Sequence, residues 1–236
     1  SNDEELGKEV IYSKIYQGHA YENFNSGDLS DLAAITIEDV KAFYAAQLTQ
    51  AKLHLGMTGA MPSDLKAQLM TDLTALPVGD EKRLNIAKAP VLKGHHATIV
   101  EKNAQSTAVS FGFPIDTIRN DKDWAALWLV RSYFGEHRSS NSYLYQQIRQ
   151  ARGMNYGDYS YIEYFPRGMF QTKPDANLGR SSQIFQVWLR PLRSNNDAHF
   201  ATRAALYELD KLIENGMSDK DFQATRNYLT NYAPQL

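Results

Sequence analysis

Apolar side chains recur along this chain with a helical period in some stretches and a strand period in others, and each change of period predicts a new element. From Glu4 to about Gln17, Leu6, Val10, Ile11 and Tyr16 fall near the helical spacing, and Gly18 to Asp31 then turns irregular. Thr36 followed by Asp39 spells a capping box, which predicts a short helix burying Val40, Phe43 and Tyr44. Leu53, Leu55 and Met57 alternate with Lys52, His54 and Gly56, predicting a strand over Lys52–Thr58 with His54 on its polar side. Leu65, Leu69 and Leu73 predict another helix, ended by Leu76-Pro77. The next run, VGDEKRLNIAKAPVLKG, is charged and aperiodic, so 78–95 reads as a linker between a first domain, 1–77, and a second, 96–236.

Beyond the linker, Ala97–Lys102 and Thr107–Phe113 predict two strands, the second with Val109, Phe111 and Phe113 on one face and Pro114 at its end. Asp123 is placed to cap the helix WAALWLVRSYF, which is apolar nearly all round and belongs between a sheet and other helices. The stretch SSNSYLYQQIRQARGMNYGDYSYIEY, Ser139 to Tyr164, predicts a capped helix with Leu144, Ile148 and Ala151 inward. Gly153 suits the left-handed position after its last turn, and a tyrosine-rich strand comes next. Gly168–Thr172 and Gln183–Leu189 predict two more strands around a polar loop, with Arg190-Pro191 as the stop. Asn195 to Asp197 cap a long helix carrying Phe200, Ala204, Leu209, Leu212 and Ile213 inward until Gly216. Ser218 and Asp221 form a second capping box ahead of Phe222, Tyr228 and Leu229. Hairpin-spaced strands and helices that come in runs predict an α+β fold, a mostly antiparallel sheet backed by helices, and argue against a doubly wound parallel one.

Composition narrows the function classes. A chain of 236 residues with 43% hydrophobic content can bury a real core. The 25 basic and 27 acidic residues nearly balance and form no basic cluster, so nucleic acid and anionic membrane find no electrostatic footprint. Cysteine is absent, which removes disulfides, thiol catalysis and thiolate metal sites. No apolar run reaches bilayer-spanning length, and the start at Ser1-Asn2, without initiator Met or signal-peptide core, reads as that of a fragment.

The chemistry worth weighing lies in the central stretch. Arg149 falls in the last helical turn and Tyr156 at the start of the strand. A guanidinium with planar paired donors and a phenol, converging across one turn, can grip a carboxylate or a peptide carbonyl. Residue type and spacing alone are better served by a last-turn arginine offsetting the helix dipole and an ordinary strand tyrosine, since both are common. The histidines promise less. His95 and His96 are adjacent and cannot share a helical face, and His137 beside Glu136 reads as a surface loop.

The run through Ser139, Ile148, Arg149, Arg152, Gly153, Met154 and Tyr156 resembles the "SrL…iRe…rGLaY" signature of the M16 metallopeptidases, the pitrilysin, insulinase and processing-peptidase family. IYSKIYQGHAYEN, then Gly27, Leu32 and ITIEDVKAFYAAQLTQAKLHLGMTGAM, is similar to that family's "lY.gHPYg" segment and the helix and strand downstream of it. FQTKPDANLGRSSQIFQVWLRPL and ELDKLIENGMSDKDFQATRNYL resemble the second domain of its bacterial members. The resemblance implies an M16/LuxS-like architecture, with 1–77 the closing half of one α+β domain and 96–236 the opening part of its non-catalytic twin. It also implies that Arg149 and Tyr156 hold the substrate peptide, Arg149 on a carbonyl or carboxylate and Tyr156 on the oxygen that gains charge. The helix at WAALWLVRSYF would correspond to the one bearing the family's H-x-x-E-H zinc motif, and here it carries Trp124, Trp128 and Tyr133 instead. The expectation is therefore a chain without catalytic residues, metal or cofactor of its own. Zinc would come from a missing N-terminal half or a partner subunit, and the chain alone would be inactive. A strand at Lys52–Thr58 deprived of its neighbours would pair within the chain or mediate self-association. The alternative is a non-enzymatic scaffold or peptide-binding module of the same descent. Bacterial relatives suggest periplasmic or membrane-associated peptide turnover.

Overall fold

In the computed structural model, which describes residues 3–80, 87–166 and 177–235, three strands form an antiparallel sheet. β1 (Thr107–Ile115), β2 (Gly157–Tyr161) and β3 (Gln183–Leu192) lie in the order β1-β3-β2. This is the α+β arrangement that the periodicity predicts. Val109 stands opposite Leu189, Phe111 opposite Val187 and Phe113 opposite Phe185, so the strand period sends one apolar row to a single face. On that face Phe185, Val187 and Leu189 meet Phe134 of α5 (Trp124–Gly135), Leu144 and Ile148, and Ala198, Ala201, Ala205 and Leu209 of α6 (Asn195–Asn215). Gly135 lets α5 end directly on β2, because a Cβ there would stand 2.6 Å from the Ser160 nitrogen.

The other face of β3 carries Ile184, Gln186, Trp188 and Arg190, all buried. α1 (Asp3–Ile15) lies over it, packing Tyr12 and Ile15, with Tyr16 just beyond, on Ile184 and Tyr164. Gln186 Nε2 donates to the Tyr12 hydroxyl at 3.0 Å, satisfying two buried polar groups at once. The buried stripe of α1 is thus Lys8, Tyr12 and Ile15, with Ile11 partly buried against the same cluster, rather than Leu6 and Val10. Lys8 tolerates burial because Glu5 and Glu9 lie 2.6 and 3.0 Å from its ammonium.

Several expectations are corrected here. β3 does not stop at Arg190-Pro191 but runs through it to Leu192, where the register with β1 shifts between Thr107 and Val109, an irregularity that accommodates a residue without an N–H. Asp123 makes no side-chain cap to α5. The cap of α6 is Ser194, whose hydroxyl accepts from Asp197 N at 3.1 Å, and its inward row is Ala198, Ala201, Ala205 and Leu209, leaving Phe200 and Ile213 exposed. α7 (Asp219–Tyr232) starts at Ser218 as predicted, with Asp221 N donating to Ser218 Oγ at 3.2 Å. Ala97–Lys102 joins no strand, and Gly168–Thr172 lies outside the described residues. Among the described residues no helix is long and apolar enough to cross a membrane.

By its contacts the chain divides into two units, Ser1–Glu22 with Ala89–Leu236, described above, and Asn23–Lys88. The second holds α2 (Leu29–Ala34), α3 (Ile37–Gln47) and α4 (Leu65–Leu73). The Thr36–Asp39 capping box is present in full, Asp39 N donating to Thr36 Oγ1 and Thr36 N to Asp39 Oδ2. Yet Val40, Phe43 and Tyr44 are exposed, Phe43 by 68%, and no hydrophobic residue of this unit reaches full burial among those described. Lys52–Thr58 forms no strand: a 3₁₀ turn through Lys52 leads into irregular chain with Leu53, Leu55 and Met57 exposed. Gln50 N and Ala51 N donate instead to the carbonyls of Pro77 and Val78.

Candidate functional site

The last turn before Gly153 is wider than an α-helix. Tyr145–Gln150 is π-helical, with Ala151 N donating to Gln146 O at 3.0 Å and Gly153, at φ 60°, turning the chain into β2. This reversal lays Arg149 along the strand start. Its Nη1 donates to the Tyr156 carbonyl at 2.8 Å, and its guanidinium carbon sits 4.2 Å from the Tyr156 ring centroid and 4.7 Å from that of Tyr145. The cation thus lies over two aromatic rings, which restrict where it can go. Tyr156 is 58% exposed. Its hydroxyl and the remaining Arg149 donors have no protein acceptor among the described residues, so they can serve a ligand from solvent. The two residues singled out from the sequence are therefore brought together, stacked and facing outward.

Sequence reasoning missed what lies behind them. Asp158, next but one along β2, points into the apolar face beside Leu189 and is completely buried. Asn155 Nδ2 donates to its Oδ1 at 2.5 Å, while its Oδ2 and the Asn155 Oδ1 are buried without a hydrogen-bond donor. Burial pushes the Asp158 carboxyl up to about 7, against the Asn155 hydrogen bond and the Arg149 charge, which both pull it down. A carboxylate in a tyrosine-rich strand predicts a solvated residue, and only its neighbours in space show otherwise.

Two further clusters share the sheet. His137 is not on a surface loop: its ring lies among Tyr159, Tyr161 and Phe165, its Nδ1 shares a 2.6 Å hydrogen bond with the Tyr161 hydroxyl, and burial with the nearby arginines lowers it to about 3. Beside it Arg131 and Glu136 form a buried ion pair at 2.7 Å, with Arg131 Nε also on the Ser160 carbonyl. Near α1, the Arg180 guanidinium is boxed by Tyr164, Tyr21 and Tyr12 at 3.7, 4.6 and 5.4 Å, a clasp between segments too far apart in sequence to be foreseen. Among the described residues no three His, Cys, Asp or Glu side chains cluster to hold a metal, so a catalytic zinc does not fit them.

The family description "Peptidase M16 inactive domain" matches residues 34–229. No curated protein matches. A crystal structure of a peptidase M16 inactive domain from Pseudomonas fluorescens is 21% identical at a TM-score of 0.74, over 97% of this chain and 51% of its own. A chain of Complex III2 from Candida albicans is 13% identical (TM-score 0.71, 98% and 52%), and a protease from Helicobacter pylori 17% (0.70, 95% and 52%). This chain spans about half the length of these structures. With the family description covering most of its length, and the fold shared across those solved structures, this chain belongs to the peptidase M16 inactive-domain family.

Proposed function

We propose that this chain is the substrate-holding, non-catalytic portion of an M16-type zinc peptidase acting on extended peptides, with zinc supplied by an N-terminal half or a partner subunit. The observation that carries the reading is the Arg149–Tyr156 stack, whose unused donors face solvent on a family scaffold without a metal cluster of its own among the described residues. Arg149 holds a peptide carbonyl or carboxylate, and Tyr156 donates to a neighbouring oxygen. Residues 1–77 are in this account the closing half of one domain and 96–236 the opening part of its twin. The uncovered apolar side chains of the second unit, Leu29, Val40, Phe43 and Leu55 among them, are then the surface on which the rest of the enzyme packs. In the complete enzyme, Arg149→Ala or Tyr156→Phe lowers kcat/KM by about 30- to 1,000-fold, the worth of one charged or oxyanion hydrogen bond at about 2 to 4 kcal/mol. Unchanged turnover in both variants overturns the assigned roles.

A second reading, a scaffold or peptide-binding module with no catalytic partner, is favoured by the same exposed face, which suits a stable assembly as well as an enzyme half. An H-x-x-E-H motif in the sequence preceding this segment or in a partner subunit, with zinc-dependent cleavage of an extended peptide, decides for the first.

A further inference from the structure

The grip described above leaves unused a carboxyl directly behind it. Asp158 is wholly buried, Asn155 satisfies only one of its oxygens, and Asn155 itself keeps a buried acceptor without a donor. Two acceptors that lack donors lie in the ten-residue stretch that runs from Arg149 to Asp158, where Arg149 Nη1 already reaches the carbonyl of Tyr156, two residues before Asp158, and keeps further donors to place. We propose that Asp158 is the positioning residue of Arg149: ionised, it draws the guanidinium back toward the turn, and protonated, it frees that cation for an anionic group of the peptide. The inference rests on the reading of Arg149 as a peptide grip.

The charges around it support this division of labour. β2 packs on β3, on α5 and on the π-helical turn. On β3 the charged residue is Arg190, which lies over Trp188 on the opposite face of the sheet. On α5 it is Arg131, neutralised by Glu136, with His137 beyond it sharing its hydrogen bond with Tyr161. The turn contributes Arg149, whose positive charge pulls the Asp158 carboxyl down against its burial. Because burial holds the Asp158 carboxyl at about 7, both of its states are populated near neutral pH, and the binding preference of the site turns over there.

The test uses the intact protein and a fluorescent decapeptide ending in a free carboxylate, with its C-terminal amide as control. The peptide carboxylate stays ionised throughout, so its own titration is silent between pH 6 and 8. Wild type binds the carboxylate peptide about tenfold tighter at pH 6 than at pH 8, a usual scale for one coupled charge, while the amide shows little change. Asp158→Asn binds it tightly at both pH values. The same pH dependence in wild type and Asp158→Asn overturns the inference while leaving the grip intact. Binding by Arg149→Ala equal to wild type overturns the grip and this inference with it. Carbon-detected NMR titration of the Asp158 carboxyl in wild type needs no variant, and a midpoint near 4 overturns the inference as well.

Discussion

Replacing Asp158 by Asn tests whether the carboxyl is as deeply buried as its surroundings indicate. An acid raised from 3.8 to about 7 opposes folding wherever the unfolded chain has ionised and the folded one resists. At 1.36 kcal/mol per pH unit the opposition reaches about 4 kcal/mol at pH 8 and falls below half of that at pH 5. The sign comes from the raised value: the cost is absent below pH 3.8, grows above it and saturates above about 7. The amide introduced in Asp158→Asn keeps an acceptor for Asn155 but buries N–H groups where Oδ2 had no partner, a cost of about 1 to 3 kcal/mol at any pH. Asp158→Asn is therefore expected to be more stable than wild type by about 1 to 3 kcal/mol at pH 8 and nearly equal to it at pH 5. Wild type alone hides the effect. His137, lowered from 6.5 to about 3, contributes stability that is present above pH 6.5 and lost as pH falls, about 2 kcal/mol of it by pH 5, which tilts the profile the other way. The quantity to measure is the difference between variant and wild type in urea denaturation at pH 5 and pH 8. Tryptophan fluorescence suits it, since Trp124, Trp128 and Trp188 all lie in the unit that contains Asp158. A difference that stays the same at both pH values refutes the burial argument.

Other outcomes rest on the same packing. Glu136→Gln strands the buried Arg131 cation and costs about 3 to 5 kcal/mol, whereas a double replacement by Glu136→Leu with Arg131→Met costs less than the two single changes added, as a double-mutant cycle in urea will read. Ser194→Ala and Ser218→Ala each remove a helix cap and lower stability by about 1 kcal/mol, seen as a downward shift in the denaturation midpoint. No loss in either would mean that these hydroxyls do not hold the first turns.

How much was legible depended on how local each signal was. The caps at Thr36 and Ser218 and the stops at Gly153 and Gly216 were readable because partner and signal lie within a few residues of each other. So was the meeting of Arg149 and Tyr156, seven positions apart across a turn set by Gly153. Strand alternation in Thr107–Phe113 and Gln183–Leu189 likewise announced the α+β sheet, though β1 does not end at Pro114 but pairs with β3 on to Ile115. The same alternation misled at Lys52–Thr58, where no second strand completes a ladder among the described residues, because a strand needs a neighbour that the period does not supply.

By itself, then, the sequence determined the starts of α3 and α7, the stops at Gly153 and Gly216, which family the chain builds and which two side chains flank the turn. Tertiary structure decided what the period could not: Lys8 and Tyr12 rather than Leu6 and Val10 are covered on α1, alanines rather than Phe200 on α6, and Asp158 lies inside while Phe43 lies outside. The reason is that helical or strand period places residues on a face, but burial depends on what lands on that face. For Asp158 the covering layer comes from α5 and the Arg149 turn, and for Tyr12 from strand and loop residues more than 150 positions away, distances over which a one-dimensional pattern carries no information.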